Sequence, residues 1–282
     1  MEYIKLCQRL HHLYPKGESR AMVSMLLESW FGMSMADAMC GGLEKLSADN
    51  TARVEAAMAR LEQGEPVQYV LGEACFCGHR FSVCPGVLIP RPETEQLCQI
   101  VSERIARCSS PSVLDICTGS GCIAVSLALG TPRCTVEAWD ISPDALRVAA
   151  DNAARLGAAV RVLCQDALCP PHHHCRWDAV VSNPPYICQS ERKTMHTNVL
   201  NYEPELALFV SDHDPLVFYR SIGAYAIDAL KPSGHLCFEV NALYAHDVAA
   251  MLEDMGYECP VVLDDIYDNH RFVCAEKKKG DC

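Results

Sequence analysis

No run of apolar residues in this 282-residue chain approaches the roughly 18 needed to cross a bilayer, although half of its residues are hydrophobic. The apolar runs are short and interrupted, which excludes a helical membrane protein and predicts a globular one with a sizeable buried core. The opening segment, MEYIKLCQRLHHLY, lacks the apolar core and small-residue cleavage site of a secretory signal. It has the spacing of an amphipathic helix, so the chain is expected to stay in the cytoplasm. Positive charge is also scarce: 24 Lys and Arg face 36 Asp and Glu, a formal net charge of -12. Such a surface repels phosphate backbones, so direct binding of nucleic acid is not expected, whereas a basic protein partner is compatible. Metal-ligand spacing is missing too. No Cys-x-x-Cys pair occurs among the 18 cysteines. Several of them (Cys117, Cys134, Cys237, Cys274) sit inside apolar segments and read as reduced, small hydrophobes rather than a disulfide framework. Cys164, Cys169, the run His172 to His174, and Cys175 bunch in a Pro-containing connection without a recognised ligand spacing, so a solvated loop is expected there and no metal. There are no internal repeats, and no low-complexity segment beyond the basic tail Lys277 to Lys279.

What is present falls into two patterns. Up to about residue 64, apolar residues recur at helical spacing: Ile4, Leu10 and Leu13; Met22, Leu26 and Trp30; Val54, Met58 and Leu61. Pro15, Gly17, Gly41, Gly42, Gly64 and Pro66 punctuate them, which predicts a small domain of about four helices. Cys75 to Val83 reads as a hairpin turning at Gly78 and His79. Pro85, Pro90 and Pro92 then mark an irregular connection ahead of a helix from about Glu93 to Cys108. From Ser112 strands alternate with helices. Strands are expected at Ser112 to Ile116, Cys134 to Trp139, Val160 to Gln165, Asp178 to Ser182, His235 to Val240, Pro260 to Leu263 and Arg271 to Glu276. Helices are expected at Pro143 to Leu156, Leu216 to Leu230 and Leu243 to Met255. Repeated strand-helix units predict an α/β, doubly wound, mainly parallel sheet. The connection from Asp264 to His270 is too short for a parallel crossover, so the last strand is expected to run antiparallel.

The segment SVLDICTGSGCIAVSLAL places a strand, a glycine-containing turn and a helix in succession. Gly119 and Gly121 let the backbone bend and approach a ligand, and the following helix offers free N-H groups at its start. Asp140 ends the next strand, 19 residues after Gly121, where a carboxylate can accept from both ribose hydroxyls. Gly119, Gly121 and Ala124 also satisfy the G-x-G-x-x-A dinucleotide fingerprint, so the turn alone does not separate a nicotinamide dehydrogenase from other nucleotide enzymes. Asp115 shifts the balance: a carboxylate there would repel a pyrophosphate but attract the amino group of a methionine moiety, unless it merely braces the loop. Asp166, ending the third strand, can accept from an adenine amino group or cap the local backbone.

Directly after the strand DAVVS comes Asn183-Pro184-Pro185-Tyr186. In a sheet of this class the carboxyl end of the fourth strand faces the same crevice as the glycine turn. An amide nitrogen is a poor nucleophile because its lone pair is delocalised, so an enzyme that methylates one must hold it in line with the methyl group. Asn183 offers a side-chain oxygen and Pro184 a backbone carbonyl, two acceptors for the two N-H bonds of a planar NH2 group. Proline stiffens the loop and brings no competing donor. Tyr186 offers an aromatic face for stacking that also tolerates positive charge. An ordinary turn after a strand would use the same Asn and Pro, but its place two strand-helix units after the glycine turn favours a site.

These motifs resemble those of the protein N5-glutamine methyltransferases that modify class 1 peptide chain release factors. Besides DICTGSG and NPPY, the resemblance includes PVQYVLG (Pro66 to Gly72), LIPRPETE (Leu88 to Glu95), NYEPELALF (Asn201 to Phe209) and GHLCFEV with Glu239. It implies a seven-stranded class I methyltransferase sheet preceded by a helical substrate-docking domain: residues 1 to 72, a hairpin and linker over 73 to 92, and catalysis over 93 to 282. It implies S-adenosylmethionine as methyl donor, with S-adenosylhomocysteine as product. By the resemblance the donor is held by Asp115, Cys117, Thr118, Gly119, Ser120, Gly121, Asp140, Asp166, Ala167 and Asn183. The glutamine of the Gly-Gly-Gln loop would enter over Asn183, Pro184, Pro185 and Tyr186, of which Asn183, Pro184 and Tyr186 would carry catalysis. Cys117 stands where many relatives have glycine, and Ala167 where some carry an aromatic residue beside the adenine. Arg91 and Glu93 read either as an ion pair at the domain junction or as substrate contacts. The alternatives are methylation of a ribosomal-protein glutamine or of a nucleic-acid amino group, and a non-catalytic assembly factor.

Overall fold

The computed structural model describes residues 1–280. Two units separate by their internal contacts, one comprising Met1–Glu73 with His196–Tyr202, the other Ala74–Met195 and the chain from Glu203 onward. In the first, helices α1 (Tyr3–Arg9), α2 (Lys16–Phe31), α3 (Met35–Met39), α4 (Ala48–Leu61) and α5 (Val67–Leu71) surround a core that includes Leu6, Leu10, Leu26, Leu27, Val54, Met58 and Leu61. Up to Glu73 that is one α-helix more than the sequence pattern predicts. Helices α3 and α5 have five residues each, too few for a 3.6-residue period to register. Local chemistry marks their ends instead: Ser34 and Asp37 close a capping box at the start of α3, and α5 stops at Gly72 with φ +78. The buried face of α1 also differs from the expected one. Tyr3, Leu6, Cys7 and Leu10 are buried, whereas Ile4 and Leu13 are 56% and 46% exposed.

The second unit opens with a hairpin, β1 (Glu73–Phe76) and β2 (His79–Ser82), that turns at Cys77 and Gly78, one residue earlier than expected. Both turn residues have positive φ, +47 and +75, as a tight hairpin turn of the I′ type demands. After α6 (Pro92–Ile105) come β3 (Ser112–Ile116), α7 (Cys122–Gly130), β4 (Thr135–Asp140), α8 (Pro143–Leu156), β5 (Val160–Cys164) and β6 (Trp177–Ser182). A short parallel pair, β7 (Ile187–Cys188) and β8 (Phe209–Val210), brackets in sequence the small helices α9 (Thr197–Tyr202), which belongs to the first unit, and α10 (Glu205–Leu208). The chain ends with α11 (Val217–Ala229), β9 (Leu230–Glu239), α12 (Ala245–Asp254), β10 (Glu258–Asp264) and β11 (His270–Glu276).

Seven of these strands form one sheet in the order β10-β11-β9-β6-β3-β4-β5. Strands β5, β4, β3, β6 and β9 are mutually parallel, and β11 runs antiparallel to both of its neighbours, as the short connection before it requires. Successive residues of a strand face opposite sides. Leu114, Val180 and Leu236 pack under α11 and α12, while Val113, Val181 and Cys237 pack under α6 and α7. The sheet is therefore doubly wound, with the seven-stranded α/β class expected from the sequence. Strand β9 starts earlier than expected, at Leu230, because Lys231-Pro232-Ser233-Gly234 reads as a turn but is carried within the strand as an irregularity, with Ser233 at φ +59.

Among the described residues no helix is long and apolar enough to cross a membrane, and no three His, Cys, Asp or Glu side chains are grouped so as to hold a metal. His173 instead joins a polar network: its ring nitrogens lie 2.8 Å from Tyr225 Oη and 2.7 Å from Arg176 Nη1. Cys175 is disulfide-bonded, an exception to the reading of the cysteines as reduced, while Cys117, Cys134, Cys237 and Cys274 are free thiols.

Candidate active site

The strand order reverses direction at β3, where the chain continues to β4 on one side and later returns to β6 on the other. Ligands of doubly wound sheets bind in the crevice beyond the carboxyl ends of the strands at such a point. A cavity of about 210 Å³ lies there. Of the residues singled out from the sequence, Cys117, Gly119, Asp140, Asp166, Ala167, Asn183 and Pro185 line it. Asp115, Thr118, Ser120, Gly121, Pro184 and Tyr186 are not among the residues that line it.

The turn after β3 is built by three residues with positive φ: Cys117 at +63, Gly119 at +55 and Gly121 at +79. Gly121 is also constrained by space. A Cβ on it would fall 3.0 Å from Ala149 Cβ and 3.1 Å from Ala149 Cα, so the glycine sets the close approach of α7 to α8. Asp140 joins the turn to β4. Its Oδ2 accepts from the Gly119 amide at 2.9 Å and its Oδ1 from the Ser142 amide at 2.9 Å. Burial pushes the Asp140 carboxyl up, and these amide donors partly oppose that shift. Asp115 is fully buried beneath the turn. Its Oδ2 accepts from Thr118 Oγ1 at 2.6 Å and from the Ala124 amide at 3.2 Å, whereas its Oδ1 has no hydrogen-bond partner. Burial pushes this carboxyl up to about 7, with Thr118 and Ala124 pulling in the other direction. One oxygen thus braces the loop and the other is an orphaned acceptor, a costly arrangement without a ligand and one that suits an ammonium group. Burial likewise raises the Cys117 thiol, which stays protonated at neutral pH.

On the neighbouring strand end, Asp166 Oδ1 accepts from the Leu168 amide at 2.8 Å, and the Ala167 carbonyl accepts from Ser221 Oγ at 2.7 Å. Asp166 therefore keeps a second oxygen for a ligand. Phe218, from the start of α11, lines the same cavity and supplies an aromatic ring where Ala167 does not.

The Asn183 to Tyr186 loop follows β6. Asn183 Nδ2 donates to Thr94 Oγ1 at 3.4 Å, and Thr94 Oγ1 donates to Glu239 Oε2 at 2.6 Å. Tyr186 Oη donates to Glu239 Oε1 at 3.1 Å. Burial raises the Tyr186 hydroxyl, with the Glu239 charge adding to the effect. Burial also raises the Glu239 carboxyl, which Thr94, the Arg271 charge and Tyr186 partly offset. The aromatic ring is thus held by its hydroxyl, and the loop backbone is held by Asn241, whose Nδ2 donates to the Tyr186 carbonyl at 3.3 Å.

Several contacts of this arrangement carried no signal in the sequence. Thr94 sits on α6 and reaches Glu239 across 145 residues of chain. Arg91 pairs at 2.6 Å with Glu203 and not with Glu93. The Glu203 side chain is 1% exposed and also accepts from the Ile89 amide at 3.3 Å, so Glu203 ties itself to the LIPRP segment within the second unit. Asn152, on the buried face of α8, donates to the Ser82 and Ser120 carbonyls at 3.0 and 2.9 Å and accepts from the Ser82 amide at 2.7 Å, tying the glycine turn to β2. A lone asparagine within an apolar helical stripe is the one sign of it a sequence offers.

A reversed sheet with an antiparallel last strand, a glycine turn over acidic strand ends and an Asn-Pro-Pro-Tyr loop across the crevice together define a class I S-adenosylmethionine-dependent methyltransferase. Residues 93–205 match the methyltransferase small domain, and residues 5–72 match the PrmC N-terminal domain. The release factor glutamine methyltransferase of Bacteroides thetaiotaomicron is 41% identical over 271 residues, covering 96% of this chain and 97% of that protein. That of Flavobacterium psychrophilum is 36% identical over 269 residues, covering 94% of each. Among solved structures, a methyltransferase from Pyrococcus furiosus superposes over 82% of this chain and 100% of its own, with a TM-score of 0.51 at 15% identity, a likeness of fold. The chain belongs to the release factor glutamine methyltransferase family.

Proposed function

We propose that this chain transfers a methyl group from S-adenosylmethionine to the side-chain amide nitrogen of the glutamine in the Gly-Gly-Gln motif of class 1 peptide chain release factors, in the cytoplasm. The observation that carries the proposal is the state of Asn183: it lines the cavity, and the nitrogen of its amide is turned to Thr94 Oγ1 at 3.4 Å. Its oxygen is left as an acceptor, the complement of a planar NH2 group. The names of relatives as similar as 41% support the same substrate.

In this reading the donor is held by the turn from Cys117 to Gly121, by Asp140 at the ribose, and by Asp166 and Ala167 at the adenine. The free oxygen of Asp115 receives the amino group. S-adenosylmethionine, when bound, supplies a methyl carbon made electrophilic by its sulfonium. Asn183 and the Pro184 carbonyl orient the substrate NH2, the Tyr186 ring faces the planar amide, and Pro185 keeps the loop stiff. The chain's contribution is positioning and exclusion of water, since an amide nitrogen needs alignment more than it needs a base. Residues 1 to 72 dock the release factor, 73 to 92 link, and 93 to 282 catalyse. Incubation with labelled donor and separate release-factor, ribosome and DNA fractions tests this. Label is expected in the release factor, and label confined to ribosomal protein or DNA would overturn the assignment.

A further inference from the structure

The hydrogen bonds behind Asn183 run in a single direction. Glu239 is 2% exposed at the end of β9, and its two oxygens each take a hydroxyl proton, one from Thr94 and one from Tyr186. With its only proton committed to Glu239 at 2.6 Å, Thr94 Oγ1 has lone pairs alone to offer Asn183, and so it receives Nδ2. The opposite flip of the amide would set Asn183 Oδ1 against those lone pairs. The contact is long, 3.4 Å, so it acts by penalising the wrong flip more than by binding the right one. Further bonds hold the frame still: Tyr219 Oη donates to the Glu239 carbonyl at 3.3 Å, and Asn241 Nδ2 reaches Glu191 Oε1 at 3.0 Å besides the Tyr186 carbonyl.

We propose that Glu239 and Thr94 are positioning residues: a buried carboxylate polarises the Thr94 hydroxyl, which fixes the Asn183 amide with its oxygen toward the acceptor and so makes the site accept an NH2 group. This rests on the role given to Asn183 above. The inverted amide would present N-H bonds to N-H bonds, and no productive contact would form. Neither residue touches the donor side of the cavity.

The test uses the full chain with a release factor as substrate. Thr94→Val keeps the shape and removes the hydroxyl; Thr94→Ser keeps the hydroxyl. We expect Thr94→Val to lower kcat about 30-fold while donor Kd from calorimetry changes less than about 2-fold, and Thr94→Ser to return kcat to within about 3-fold of wild type. Glu239→Gln, which can donate to Thr94 and so release its proton toward Asn183, is expected to lower kcat about 10-fold or more with donor Kd again unmoved, and it serves if Thr94→Val does not fold. Wild-type kcat in both Thr94→Val and Glu239→Gln, or equal loss in Thr94→Val and Thr94→Ser, would overturn the relay while leaving the glutamine assignment intact. A wild-type protein that methylates no glutamine would instead remove that assignment, and the relay with it.

Discussion

Replacing Asp115 with asparagine should make the ligand-free protein more stable at alkaline pH and worse at holding its donor. The carboxyl is fully buried and pushed from its ordinary 3.8 up to about 7. A gap of about 3 pH units corresponds to about 4 kcal/mol between protonation states. The folded value lies above the unfolded one, so the folded state holds a proton that the unfolded state has released. The group's contribution is therefore complete below about pH 4 and lost as pH rises through about 7. Integrated between pH 5 and pH 8, the loss is about 2.5 kcal/mol. Asparagine has the same outline, can accept from Thr118 and the Ala124 amide as Asp115 Oδ2 does, and carries no charge to bury. Urea unfolding of both proteins without ligand, followed by intrinsic fluorescence, should show the variant gaining about 2.5 kcal/mol on wild type from pH 5 to pH 8. Calorimetry at pH 8 should show donor affinity falling about 10-fold or more, because the orphaned Oδ1 is the atom assigned to the amino group. Parallel pH curves for the two proteins would refute the placement of a strained carboxylate under the turn, and undiminished donor affinity would refute its assigned role.

Asn183→Ala should cut turnover by about 100-fold or more while weakening donor binding less than about 10-fold, read from single-turnover rates and calorimetry. Gly121→Ala should cost about 2 to 3 kcal/mol, because it meets Ala149 within 3.0 Å as well as a positive φ, whereas Gly119→Ala, with open space around its Cβ, should cost about 1 kcal/mol; thermal unfolding ranks the two. Asn152→Ala should cost about 2 to 4 kcal/mol despite alanine's better helix propensity, since it strands the Ser82 amide and two carbonyls, and hydrogen exchange at Ser82 should rise.

The parallel strands were legible because strands buried on both faces are continuous apolar runs: Ser112 to Ile116 coincides with β3, and β6 differs from its expected start by one residue. Helix α8 was legible at both ends, from Pro143 after a capping Ser142 to a glycine stop at Gly157. The five-residue helices were not, because they hold less than two turns. The hairpin turn was misplaced because nothing marks Cys77 as a residue with φ +47. Within the crevice, Gly119, Asp140 and Asn183 were legible since each lies at or just past the end of a strand, and such ends converge in this sheet. The contacts of Thr94, Glu203 and Asn152 were not, because their partners lie 32 to 145 residues away and only the completed fold selects them. The Arg91 case shows the same limit: Glu93 is the nearer carboxylate in sequence, but Glu203 is buried beside the guanidinium.

The most direct measurement is mass spectrometry of a class 1 release factor after exposure to this chain and S-adenosylmethionine, alongside the Asn183→Ala chain. One added methyl on the glutamine of the Gly-Gly-Gln peptide, present with wild type and absent with the variant, is the expected result. A methyl group elsewhere, or equal methylation by both chains, would contradict the account.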